Sequence, residues 1–86
     1  MHLNEEEDIH YCFIRQPEVS RITSIPKSSI PVEIAEGNFP VPAEITTRSR
    51  AWLKSEIHDW MRQKLEERDI RREEIKKKKE KEEENE

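Results

Sequence analysis

The chain has 86 residues, 42% of them charged and only 31% hydrophobic, with a formal net charge of −4. That length allows one small domain. So few apolar side chains cannot spread a core over every position, which requires part of the chain to be solvated tail or exposed helix and disfavours an enzyme with a deep, dry pocket.

No apolar run approaches the ~20 residues that span a membrane, and no signal-peptide hydrophobic stretch follows Met1. The single Cys12 leaves no intramolecular disulfide and points to a reducing, cytoplasmic setting. His2, His10 and His58 are scattered without metal-ligand spacing, so no metal or cofactor is expected. Charge is unevenly distributed. Glu5, Glu6, Glu7 and Asp8 make residues 1–10 acidic, while the six basic and six acidic residues of 11–61 balance, as do the ten and ten of 62–86. Residues 1–10 are expected to be a disordered acidic tail, residues 11–65 a folded domain, and residues 66–86 a charged helical extension fraying into a tail.

In chain order, residues 11–14 read as a short extended entry. Pro17 suits a helix's first turn. Val19 and Ile22 stand three apart on one face, so residues 17–23 read as a two-turn helix that Ser24-Ile25-Pro26 breaks. Ser28 can N-cap a second short helix over about residues 29–36. Pro31 would fall at its third position, where a missing N–H is no loss. Ile30, Ile34 and Ala35 give that helix an apolar face, and Gly37 supplies a C-terminal stop. Phe39-Pro40-Val41-Pro42 must be extended, because proline fixes φ and biases its predecessor away from helix.

Residues 43–45 and 50–53 can pair as a hairpin across Thr46-Thr47-Arg48-Ser49. Ser55 can cap the last helix, predicted over residues 54–72 and fraying beyond about Ile75. On it Ile57, Trp60, Met61 and Leu65 fall at i, i+3, i+4 and i+8 as an amphipathic stripe. Glu67–Arg71, Glu73–Lys77 and Glu74–Lys78 can form i,i+4 pairs. Trp52, Trp60, Phe39 and Cys12 are expected in the core and His58 at the surface. The result is a mainly α fold with a small β-hairpin: a winged helix-turn-helix followed by a long charged C-terminal helix.

Several segments then align with a known pattern. Phe13-Ile14-Arg15, Pro17-Glu18-Val19, Thr23-Ser24-Ile25 and Lys27-Ser28-Ser29-Ile30 come first. Glu36-Gly37-Asn38-Phe39-Pro40-Val41-Pro42, Arg48, Ala51-Trp52 and Ser55-Glu56-Ile57-His58-Asp59-Trp60 follow. In this order, over residues 13–62, they resemble the AlpA family of phage and prophage regulators, within the MerR-like and excisionase-like winged helix-turn-helix domains. The most specific elements are E-G-x-F-P-x-P and the downstream W-x-x-S-E-I-x-x-W.

The resemblance implies a DNA-binding transcriptional regulator or a recombination directionality factor, not an enzyme, acting on double-stranded DNA at a promoter or attachment site. By position it implies DNA contacts from Lys27, Ser28 and Ser29 at the start of the second helix and from Arg48 on the wing, with Arg50 beside it. Lys27 can neutralise a phosphate, serine hydroxyls can donate to phosphate oxygens, and a wing arginine can enter a narrow minor groove. Self-association through the C-terminal helix could multiply these few contacts. Pro31-Val32 stand where relatives usually carry Tyr-Arg, and Glu33 and Glu44 add negative charge. These departures favour the alternative of a degenerate winged helix that binds protein.

Overall fold

The computed structural model describes residues 11–84; the acidic segment at residues 1–10 lies outside them. Two helices, a β-hairpin and a long helix follow one another, with a short strand at the start completing the sheet. Strand β1 is Phe13–Ile14, helix α1 Gln16–Thr23, helix α2 Ile30–Ala35, strand β2 Ala43–Thr46, strand β3 Ser49–Leu53 and helix α3 Lys54–Glu84. The antiparallel sheet has the order β1-β3-β2. This is the layout of a winged helix-turn-helix, with α1 and α2 as the helical pair and β2–β3 as the wing.

The core gathers Ile14, Val19, Ile30, Phe39, Trp52 and Ile57, with Ile22, Ile34, Trp60 and Met61 packed against it. Each element therefore contributes through one face: Val19 and Ile22 from α1, Ile30 and Ile34 from α2, and Ile57, Trp60 and Met61 from α3. Cys12 packs at the core's edge and is only partly covered, and His58 is half-buried. Helix α1 ends on Ser24 in the left-handed conformation (φ 65°), where a Cβ is unfavourable. Ser20 Oγ donates to the Ile25 carbonyl at 2.6 Å and Thr23 Oγ1 to the Val19 carbonyl at 2.6 Å. These bonds hold the turn between the helices.

Helix α2 starts one residue later than expected. Ser29, not Ser28, is its N-cap, and no side chain caps it. The reason is a turn closed by the Ser29 N–H on the Pro26 carbonyl at 2.9 Å. That turn puts Ser29 at φ −86°, ψ −23° rather than in the extended conformation from which a hydroxyl reaches back to the helix amides. Pro31 thus falls within the first two positions, where its missing N–H costs nothing. Gly37, at φ 77°, ends the helix as expected. The Gly37 N–H donates to Ile34 at 3.0 Å and the Asn38 N–H to Glu33 at 2.8 Å, the paired bonds of a Schellman cap.

The wing loop is shorter than expected. Thr46 and Ser49 pair with each other, leaving a two-residue turn of Thr47-Arg48, and the register shifts between Glu44 and Thr46. Among the described residues only Ser24 and Gly37 have positive φ, so this turn lacks the twist-matched Asn-Gly type. Hydroxyls close it instead: Thr46 Oγ1 and Ser49 Oγ lie 2.8 Å apart, and the Arg48 N–H donates to Thr46 Oγ1 at 3.3 Å.

Helix α3 follows β3 without a loop, so Ser55 sits inside its first turn rather than before it. The helix continues past Ile75 to Glu84, built almost wholly of good helix formers. The ion pairs along it are Asp59–Arg62 (3.2 Å), Lys64–Glu67 (3.2 Å) and Arg68–Asp69 (3.0 Å). Glu67 thus turns back to Lys64 rather than forward to Arg71. Among the described residues no helix is long and apolar enough to cross a membrane.

Candidate nucleic-acid interface

A groove of about 860 Å³ lies between α2 and the wing. Pro31, Ile34 and Ala35 of α2 line one side, and Val41 and Pro42 of the connecting loop also line the groove, Val41 largely exposed. Glu44, Thr47, Arg48 and Arg50 of the wing form the other wall.

Its shape depends on aromatic side chains that the loop folds over. Phe39 is buried between two indoles, edge-on to Trp60 at 4.9 Å and to Trp52 at 6.4 Å between ring centres. The Trp52 Nε1–H donates to the Pro40 carbonyl at 2.8 Å, and the Trp60 Nε1–H to the Asn38 carbonyl at 2.7 Å. An indole packed in a core needs an acceptor for its N–H. The carbonyls of Asn38 and Pro40, two residues apart in the connecting loop, supply these acceptors. The aromatic residues thus build the core, and the indole N–H groups set the path of the loop that joins α2 to the wing.

The wing arginines come together, though not on one strand face. Arg48 occupies the two-residue turn and Arg50 lies on β3 opposite Glu44, and both line the groove. Arg50 reaches Glu44 at 3.9 Å with both side chains about 70% exposed, an ion pair too solvated to hold Arg50 back from another anion. Lys27 and Ser28 are exposed in the turn ahead of α2, and Ser29 is half-buried there. None of the three lines the groove, but Gln16 does, and its Nε2 donates to the Lys27 carbonyl at 3.0 Å. Gln16 thereby ties the Lys27 turn to the groove. Nothing local in the sequence marks Gln16 for this part, because its partner lies eleven residues on.

Arg21, the other basic residue of the helical pair, is committed elsewhere. Its Nε donates to Glu18 at 3.0 Å and its Nη2 makes a second bond to the same carboxylate. The hydrogen bond from Arg21 holds the Glu18 carboxyl below its ordinary value, and Glu18 in turn raises the guanidinium.

Residues 12–65 match the family described as Prophage CP4-57 regulatory protein (AlpA). The chain belongs to the AlpA family. The match begins at the edge of the core and ends where α3 leaves it, so the whole winged helix-turn-helix is the family's domain. AlpA proteins are regulators of prophages by that description, and this chain is a member of a phage regulatory family. It is also 37% identical over 49 residues to the uncharacterized protein ORF88 of Enterobacteria phage P4. That similarity covers 57% of this chain and 56% of the phage P4 protein, so it spans little more than half of either. No solved structure matches the chain.

Proposed function

We propose that this AlpA-family chain binds double-stranded DNA through the groove between α2 and the wing. It would act as a regulator of phage or prophage transcription, or as an excisionase-like directionality factor. The observation that carries this reading is the placement of Arg48 and Arg50 across the groove from α2, with the Lys27 turn tied to it through Gln16. In a winged helix-turn-helix the second helix approaches the major groove and the wing the backbone or minor groove. Arg48 at the wing tip and Arg50 behind it then contact phosphate or enter a narrow minor groove. Lys27 neutralises phosphate beside the start of α2, while Ser28 and Ser29 offer hydroxyl donors there. The domain works in the cytoplasm, where its DNA is, and needs no cofactor.

A second reading, protein recognition without DNA, is favoured by the apolar Val41 and Pro42 that line the groove and by Glu44 on the wing wall. Fluorescence anisotropy of labelled duplexes from the chain's own upstream region separates the two. For DNA binding, affinity falls steeply between about 50 and 200 mM salt and drops further in Arg48→Ala, Arg50→Ala and Lys27→Ala. A folded chain that shows no binding at the lower salt overturns the DNA reading and leaves the protein one.

A further inference from the structure

Helix α3 runs unbroken from the core to Glu84, so every residue on it can be assigned an angle around one axis. Eighteen residues separate Ile57, fully buried, from Ile75. At 3.6 residues per turn that is about five whole turns, so Ile75 points along the same side as Ile57. Lys64, Arg68, Arg71, Arg72, Lys78 and Lys79 all fall within about 60° of that line, and Glu82 is the single acid among them. Eight of the nine acids of residues 62–84 lie on the rest of the circumference. The net charge of this extension is close to zero, yet its surface is divided lengthwise. The face continuing the core stripe is cationic and the opposite one mainly anionic. The Lys76–Lys79 run is divided too: Lys78 and Lys79 belong to the cationic face and Lys77 to the other.

These cations are available. All are exposed. Arg71, Arg72, Lys78 and Lys79 take part in none of the ion pairs of the described residues, and Lys64 and Arg68 hold only exposed ones. The face does not suit a second copy of the chain. Following the 4-3 spacing of a helix pair, its seam reads Met61, Lys64, Arg68, Arg71, Ile75 and Lys78, which sets like charges against each other where apolar residues are required. Nor does it offer the contiguous apolar face that lets a helix lie in a membrane surface. A linear polyanion fits it best. From Lys64 to Lys79 the stripe spans about 22 Å at 1.5 Å per residue, long enough to meet several phosphates of a DNA backbone.

We infer that the cationic stripe of α3 is a second DNA contact, engaging the phosphate backbone beside the site bound by the groove. Almost all of it lies beyond residue 65, where the family match ends, so it is a property of this chain's own extension. The inference rests on the DNA reading proposed above.

The test is the salt dependence of the full chain's affinity for a labelled duplex of about 30 base pairs. Each neutralised phosphate contributes about 0.9 to the slope of log affinity against log salt. Removing three stripe cations together (Arg68→Gln, Arg71→Gln, Arg72→Gln) lowers the slope by between about 1 and 3 units and weakens binding roughly tenfold or more in moderate salt. The control removes three cations from the other face (Arg62→Gln, Lys77→Gln, Lys81→Gln), an identical change in net charge, and leaves the slope unchanged. Glutamine is a good helix former, and circular dichroism verifies that both variants stay folded. Equal losses in the two variants, or an unchanged slope in the stripe variant, overturn the inference while leaving groove binding intact. An unchanged slope redirects the face towards an acidic protein. A wild-type chain that binds no duplex at about 50 mM salt overturns this inference and the DNA reading together.

Discussion

Removing one indole N–H at a time tests how the groove is held in shape. Trp52→Phe and Trp60→Phe each delete one hydrogen bond to the loop at Asn38–Pro40, but in different surroundings. Trp52 is 5% exposed and its bond to the Pro40 carbonyl is partly buried. Its loss leaves a partly buried acceptor without its donor, about 1–2 kcal/mol, with about 1 kcal/mol more for the lost ring volume. The sum is about 2–3 kcal/mol. The Trp60 bond to Asn38 is exposed, so water can replace the indole and the cost stays near 1 kcal/mol.

A domain of about 55 residues has a total stability of roughly 3–8 kcal/mol, so the first variant approaches the unfolding threshold and the second does not. Each kcal/mol lowers the melting temperature by about 4–8 °C at this size. Trp52→Phe is therefore expected to lose about 10 °C or more, and Trp60→Phe about half of that. Each variant retains one tryptophan, so thermal unfolding should be followed by its fluorescence, which reports the domain rather than the long helix that dominates the far-ultraviolet dichroism. Equal losses, or a larger loss for Trp60→Phe, would show that burial of the Pro40 bond does not hold the loop.

Three further outcomes follow from the backbone and the charges. Ser24→Gly removes a left-handed residue with a Cβ, a conformation costing about 1–2 kcal/mol. Offset by the greater freedom of glycine in the unfolded chain, the variant should be more stable by up to about 1 kcal/mol in urea unfolding; a destabilised variant refutes that reading of the turn. Gly37→Ala meets no atom within 4 Å of the added Cβ, so its cost is backbone strain alone, about 1 kcal/mol, and a loss above about 3 kcal/mol would reveal a clash. The Glu18 carboxyl should titrate below its ordinary value in a carbon-detected NMR titration and return to it in Arg21→Ala. Because its folded value is the lower one, the stabilisation from this pair is present above the unfolded value and is lost as pH falls through the folded one. An unshifted Glu18 would show that the pair does not persist in solution.

Local rules carried much of the fold. Gly37 stops a helix because only a left-handed residue can close that cap, and the spacing of Ile57, Trp60 and Met61 could serve only a helix with one buried side. The pairing of the wing strands likewise followed from what flanks them. What escaped was set by other short-range hydrogen bonds that compete with the expected ones. The cap of α2 moved from Ser28 to Ser29 because a turn closed at Pro26 decides the backbone there. The wing turn shortened to two residues because Thr46 and Ser49 can bond each other.

The candidate site was legible as far as its arginines. Arg48 and Arg50 were implied by the resemblance to the AlpA family, and the fold brings both to one groove. Val41 and Pro42 were not, since their part depends on how the loop crosses from α2 to the wing, which the two indole bonds determine, and Gln16 was not, since its part depends on the turn that presents the Lys27 carbonyl. The cationic stripe of α3 was hidden for a different reason. It emerges only once a single unbroken helix makes positions 57 and 75 comparable, and Leu65, Ile70 and Ile75, five apart, give no hint of it.

The most direct measurement of whether the groove between α2 and the wing is a DNA interface is an amide-resolved NMR titration of the full chain with a short duplex. If the groove is that interface, shifts concentrate at residues 27–35 and 46–50, with the Arg48 and Arg50 amides among the largest, while the outward side of α1 around Glu18 and Arg21 stays still. Shifts confined to α1 or to the first turns of α3, or none at all at duplex excess in low salt, would contradict it.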